Sequence, residues 1–383
     1  MRTWAEIDLD AIRYNFRQIK SKTHSKIMAI IKADAYGHGV KKVAEVLLEE
    51  GAYAFGVATA DEALELRNLG FTVPILILGV IFKEEYHKII NEDVSFAVTD
   101  MESAVYASET AKKLKKTARI HIKLDTGMGR IGFACTEDNA NDIFKISTLE
   151  NMKIEGVFSH MSKADEEDKT YANRQFEKFT TMCTILEEKG LKIPLKHIAN
   201  SASIATLPHT HLDMVRSGII TYGLYPSEDV DERHISLKPA MTLKSKITHI
   251  KTITEDSPIS YGGHYTAKKG QKIATVAIGY ADGFTRTLSG KASVLVGGFT
   301  APVVGNICMD QCMIDVSHIK NIKCEDEVII FGSDGNNTIS VDSVALLIGT
   351  INYEVVCSVA RRVPRAYIAD HKIIALKNRL TDN

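Results

Sequence analysis

Eight times within about 200 residues, a short run of β-branched and apolar residues gives way to a loop and then to an amphipathic stretch. The runs fall at 27–33, 53–58, 74–79, 95–99, 119–124, 154–160, 195–199 and 212–216. Between them, stretches such as 61–69, 101–113 and 171–189 carry apolar residues at helical spacing, with Gly70 and Gly190 closing two of them. Strands that alternate with helices are parallel, because each crossover returns the chain to the same edge. The pattern predicts an α/β fold with an N-terminal (β/α)8 barrel, although an open doubly wound sheet gives the same local signal. After about residue 225 the texture changes. Strand-like alternation at 238–250, 272–280, 292–304 and 328–331, broken by Gly262-Gly263 and Gly297-Gly298, predicts a second, mainly β domain. The polar segment 226–234 reads as the link, giving domains 1–230 and 231–383.

Charge excludes several classes of function. The 47 Lys and Arg nearly balance the 48 Asp and Glu, so nothing favours nucleic acid or an anionic membrane surface. The most apolar run, 73–82, is far short of the roughly 20 residues that span a bilayer. The first ten residues carry acidic side chains and no apolar core of a signal peptide, so a soluble cytoplasmic protein is expected. Six cysteines at 135, 183, 308, 312, 324 and 357 form no C-x-x-C pair, and reduced, buried thiols are expected.

In a (β/α)8 barrel, chemistry collects just past the C-terminal ends of the strands. Polar residues of distinct types sit at those places. Lys32 ends the first strand, followed by Tyr36, Gly37, His38 and Gly39; Lys123, Asp125 and Arg130 lie at the end of the fifth; His160 closes the sixth. Asn200 and Ser201 follow the seventh, and Arg216 closes the eighth ahead of Ser217-Gly218-Ile219. A lone strand-end Lys more often snorkels to water, but a desolvated one becomes an amine fit for Schiff-base chemistry. The small residues after Arg216 suit close approach of backbone N–H groups to a phosphate, and suit an ordinary turn equally well. Lys123 reads also as a plain ion-pair partner, and Asp125 and Asp315 as structural caps.

The segments IMAIIKADAYGHG (27–39), IHIKLDTGMGRIG (120–132), HIANSA (197–202), MVRSGIITYGL (214–224), ISYGGHYT (259–266), IGYADG (278–283), VGNICMDQCMID (304–315) and TINYE (350–354) occur in the order and at the intervals of the bacterial alanine racemases. The chain resembles that family from about residue 2 to Tyr367. The resemblance implies an enzyme that interconverts L- and D-alanine with pyridoxal 5'-phosphate and supplies D-alanine for peptidoglycan. It implies that Lys32 carries the cofactor as an imine and serves as one catalytic base. Tyr36, Ser201, Gly218, Ile219 and Tyr353 would hold the phosphate, with Asn200 and His160 in the cofactor's surroundings. Arg216 would face the pyridine nitrogen, and Arg130 the phenolic oxygen and the substrate. Lys123 resembles a position carbamylated in many members. Tyr261 would be the second base, with Met309 and Asp310 beside it at the substrate, all three coming from the partner in a homodimer. Tyr280 would line the entrance.

Two departures bear on substrate range: Met161-Ser162-Lys163 after His160, and Gly263-His264 after Tyr261, where relatives more often differ. Tyr353 points the other way, since related racemases for serine or bulkier amino acids tend to have a smaller residue there. The alternatives are a serine or broad-specificity racemase, a cofactor-binding barrel without activity, and a decarboxylase of related architecture. The retained second domain with Tyr261 weighs against the second, and the poorly placed cysteines against the third.

Overall fold

A computed structural model describes residues 1–381. The chain forms two compact units. One comprises Ile12–Ala35 and Val40–Lys238; the other comprises Met1–Ala11, Tyr36–Gly39 and the residues from Pro239 onward.

Strand β1 (Thr3–Asp8) belongs to the second unit. The first unit holds β2 (Lys26–Ile30), β3 (Ala54–Val57), β4 (Ile75–Ile77), β5 (Ser95–Val98), β6 (Ala118–Asp125), the two-residue β7 (Phe133–Ala134), β8 (Met152–Phe158), β9 (Lys196–His197) and β10 (Met214–Ser217). All pair in parallel, in the order β10-β2-β3-β4-β5-β6-β8-β9, with β7 beside β6. Backbone bonds from Asp213 N to Lys196 O (3.2 Å) and from Arg216 N to Ala199 O (3.0 Å) join β9 to β10 and close the ring. This is the (β/α)8 barrel that the sequence predicts. The helices Ala60–Asn68, Met101–Leu114 and Thr170–Glu188 match the expected stretches to within a residue. Thr59 and Asp100 cap two of them by accepting from the amides of Glu62 and Ser103.

Alternation along β6 sets what the barrel contains. Ile120, Ile122 and Leu124 are fully buried on one face, while His121 and Lys123 are buried on the other. Inward positions in such barrels usually hold branched apolar side chains. Here one strand turns an imidazole and an ammonium inward, and only function or a dense polar network justifies that desolvation.

The second unit is mainly β, as expected. Its strands are β11 (Met241–Thr252), β12 (Ser257–Ile259), β13 (Tyr265–Ala267), β14 (Lys272–Val276), β15 (Ser293–Val296), β16 (Phe299–Val304), β17 (Cys312–Asp315), β18 (Glu327–Ser333), β19 (Thr338–Ile339), β20 (Arg365–Ala369) and β21 (Lys372–Lys377). The long β11 pairs antiparallel with β14 and with β18, so the ring β11-β14-β17-β16-β15-β18 closes on itself and leaves no edge inside it. β1 adds antiparallel to β11 and parallel to β20. No disulfide forms among the described residues; Cys183 and Cys312 are buried as expected, Cys135 and Cys308 are half-buried, and the expectation of buried thiols fails for Cys324 and Cys357, which sit exposed in surface segments. No helix among the described residues is long and apolar enough to cross a membrane.

Candidate active site

Lys32 opens a turn that sequence reasoning misses. After β2, the residues Ala33, Asp34, Ala35 and Tyr36 all take left-handed backbone angles, with φ between 51° and 55°. That conformation costs roughly 1–2 kcal/mol per non-glycine residue, so four in a row need outside support. Glu62 supplies it in the barrel unit: its carboxylate accepts from Ala33 N (2.7 Å), Ala58 N (2.7 Å) and Thr59 N (3.3 Å). Asp34 accepts from Val40 N at 2.8 Å and so starts the helix Val40–Glu49. The expected strand 27–33 therefore ends early, because the turn begins directly after Ile31. Tyr222 donates to Ile30 O at 2.9 Å and fixes the strand end that presents Lys32.

Arg216 is the centre of the polar interior, 3% exposed. One terminal nitrogen donates to His197 Nδ1 (2.9 Å) and His197 O (3.1 Å); the other donates to Ser159 O (2.6 Å), Ile198 O (3.1 Å) and His160 Nδ1 (3.2 Å). Both ends of the fork are occupied, which leaves Nε as the donor for a ligand. No carboxylate pairs with Arg216 among the described residues. Burial, and then Arg130, push it down to about 9, so it stays charged at neutral pH. Lys123, 3% exposed, gives its ammonium to Leu124 O at 2.6 Å and lies 5.5 Å from the Phe158 ring. Burial, then Arg216, bring it down to about 8.

His160 registers how much positive charge is gathered here. Burial comes first, then Arg216, Arg130, Lys123 and Lys32, and together they hold its imidazole well below the usual range. Because guanidinium can only donate, His160 accepts at Nδ1 and carries its proton on Nε2. Asp125, although burial opposes it, is held low by amides of Gly127 and Gly129, then by Lys123 and the amide of Met128. It caps the loop, as one of its two readings had it; Asp315 likewise accepts from Ser317 N and Gln271.

The strand-end backbone completes the cluster. Gly218 N donates to Ser201 Oγ at 3.0 Å, and Ile219 begins a 3-10 turn whose leading amides have no intrahelical acceptor. Asn200 caps the short helix Ser201–Thr206 and donates to Met161 O, so its amide orients the loop. Arg130 is exposed at the rim. The structure thus brings together Lys32, Lys123, Arg130, His160 and Arg216 around one another's charge, beside Ser201, Gly218 and Ile219. A cation cluster with an uncompensated guanidinium and free-ended amides fits an anionic ligand bearing a phosphate and an oxyanion.

In the second unit, the rings of Tyr36 and Tyr353 lie 6.2 Å apart. Gly37 (φ 79°) packs so closely on Val356 O that a side chain has no room. Tyr261 projects 70% exposed from a turn in which Ser260 (φ 66°) donates to Asn306 O and Asn306 donates to Tyr261 O at 2.6 Å. Tyr280 and Met309 are also exposed. Arg362 pairs with Asp282 (2.8 Å) and Asp310 (2.7 Å), tying the turn of Tyr280 to that of Met309.

Family models for the alanine racemase N-terminal and C-terminal domains match residues 7–226 and 240–367. The chain belongs to the alanine racemase family. The alanine racemase of Methanococcus maripaludis is 50% identical over 367 residues, covering 95% of this chain and 98% of its own. That of Clostridium perfringens is 47% identical over 376 residues, 98% of this chain and 97% of its own. Among solved structures, alanine racemase of Clostridium difficile 630 superposes with a TM-score of 0.95 at 43% identity, covering 99% of this chain and 98% of that one. The Bacillus anthracis alanine racemase with bound L-Ala-P gives 0.95 at 37% identity, covering 100% and 99%. As an alanine racemase family member the chain is an isomerase, with the barrel and β-unit architecture of those relatives.

Proposed function

We propose that the chain interconverts L- and D-alanine with pyridoxal phosphate joined to Lys32, and that the D-alanine serves peptidoglycan. The observation that carries this is the buried, carboxylate-free Arg216 at the centre of five polar contacts, set among Lys32, Lys123, Arg130 and His160. The cofactor is an anion that matches this charge, and when bound it acidifies the α-hydrogen of an attached amino acid. Ser201, Gly218 and Ile219, with Tyr36 and Tyr353, are the residues for its phosphate, and Asn200 orients their loop. Arg216 Nε is the donor for the ring nitrogen. A charged guanidinium there would leave that nitrogen unprotonated, which would disfavour transamination.

Two-sided proton transfer needs a base on each face. Lys32, its amine set free when the incoming substrate amine takes its place, takes or returns the proton on one face. Tyr261 of the partner subunit serves the other, its exposure on this chain leaving it available to a second copy. The Nε2–H of His160 is the donor for the oxygen of that side chain. Arg130 binds the substrate carboxylate, with Met309 and Asp310 of the partner subunit beside the substrate, and Tyr280 lines the entrance. Tyr353 limits the side chain to little more than a methyl group, which favours alanine over serine. Lys123, with its lowered basicity, is the amine for carbamylation, in which the neutral amine adds CO₂ and releases a proton; intact mass should then show one added CO₂, lost in Lys123→Met, and an unshifted mass would sink this role.

Mixing inactive Lys32→Ala and Tyr261→Phe chains tests the shared site. In an equal mixture, random re-pairing makes about half of the dimers hybrids, each with one intact site of two, so the mixture should recover about a quarter of wild-type activity. Hybrids that form but stay inactive would refute a site shared between copies.

A further inference from the structure

The barrel has a second mouth, at the N-terminal ends of its strands, and it holds a cavity of about 480 Å³. We propose that this cavity is a binding site for a small carboxylic acid with an apolar body. Its volume falls in the range of small-molecule sites, roughly 300–1,000 Å³. The floor is apolar: Met28, Ala54, Ile75, Leu76 and Met214 are all buried. The rim is basic, with Lys26, Arg67, Arg119 and Lys153 against Asp93 and Glu155, four positive charges to two negative. Arg119 (2.7 Å) and Lys153 (3.2 Å) share the one carboxylate of Glu155, which also accepts from Ser95 Oγ at 2.8 Å. Arg67 spends its guanidinium on the carbonyls of Phe71, Val73, Glu92 and Asp93, and Lys26 sits 4.2 Å from the Tyr53 ring. Neither has a carboxylate within ion-pair distance among the described residues.

A buried imidazole, that of His121, lines this space. The pairing of β6 with β8 slips by one residue between Ile120 and His121, so that His121 faces Gly156 and Glu155 is the extra residue. Gly156 is required there, because a Cβ would lie 2.6 Å from both His121 Nδ1 and Leu195 O. The space lets the His121 ring reach His197, with Nδ1 to Nε2 at 3.0 Å. Arg216 can only donate, so His197 accepts at Nδ1 and carries its proton on Nε2. That proton goes to His121 Nδ1, and His121 in turn carries its own on Nε2. This N–H has no hydrogen-bond acceptor among the described residues, belongs to a side chain only 4% exposed, and lines the cavity. Burial keeps the ring neutral, at about 4, so it is a fixed donor. A carboxylate oxygen on His121 Nε2, within the field of Arg119 and Lys153, satisfies the donor and the charge excess, while a ring or short alkyl chain covers the methionine-lined floor.

The test is calorimetric titration of the holoenzyme with benzoate, in saturating racemic alanine so that the catalytic site is occupied, and with inorganic phosphate as a second probe. One benzoate should bind per chain, with a Kd of about 1 mM or tighter, and phosphate more weakly. Lys153→Ala, on the exposed rim, should weaken benzoate by roughly tenfold through loss of a charge-assisted contact. Ala54→Leu, which fills the floor, should abolish it, with racemisation retained in both. Absence of saturable binding, displacement by alanine, equal affinity for phosphate, or unchanged affinity in the two variants would each overturn the site.

Discussion

At the residue scale, the barrel interior stores a pH dependence. His160, His197 and His121 are held neutral, by burial first and then, with Glu155 opposing only at His121, by the charge of Arg216. In the unfolded chain each imidazole titrates near pH 6.5. Below that pH the unfolded state binds protons that the folded state refuses, so stability falls as pH drops. The window opens near 6.5 and extends down to the folded values, about 4 for His121. Urea midpoints at pH 5 should therefore lie below those at pH 7, and His121→Phe or His197→Asn chains, if folded, should lose part of that difference. An acid-insensitive midpoint would contradict the neutral histidine chain. The residue types in this chain were legible in the sequence only at its ends. Arg216 and His160 fall at strand ends where chemistry is expected, whereas His121 and His197 sit inside runs that read simply as strand. Nothing in a one-dimensional pattern says that two buried imidazoles 76 residues apart in sequence meet at 3.0 Å.

At the scale of elements, the left-handed turn from Ala33 to Tyr36 is the device that presents Lys32, and Glu62 holds it. Glu62→Gln keeps the shape but weakens three backbone contacts made by a charged acceptor. The expected cost is about 1–3 kcal/mol of stability, with a loss of activity larger than the loss of folded protein, because the turn relaxes before the barrel unfolds. Urea unfolding compared with kcat on the same preparation separates the two; equal losses would mean that the turn is held by other contacts. Element existence was legible and special geometry was not. All eight barrel strands appear where hydrophobic periodicity places them, since each must bury both faces. The turn was not foreseen because Ala-Asp-Ala-Tyr contains no glycine and favours right-handed helix by propensity. Strand β1 has no local signature because its partners, β11 and β20, lie more than 230 residues away, and the slip in β8 shows only as a glycine.

At the scale of the whole molecule, each unit solves the edge problem by closing a sheet. The parallel ring of the first unit needs helical crossovers and gives strand ends that gather Lys32, Arg216 and His160. The antiparallel ring of the second supports short turns that carry Tyr261, Tyr280 and Met309 outward. The division of labour follows from the two kinds of sheet: a buried, desolvated charge cluster in one and exposed side chains in the other. Fold and family were legible from long-range order of motifs, while the roles of individual residues rest on contacts that only three dimensions supply. The central claim is racemisation of alanine, and it is tested most directly by incubating the purified chain with pyridoxal phosphate and, separately, L-alanine, D-alanine and L-serine, then quantifying enantiomers over time. Either alanine enantiomer should approach an equal mixture, with serine converted far more slowly; cofactor bound on Lys32 with no amino acid losing its handedness would contradict the account.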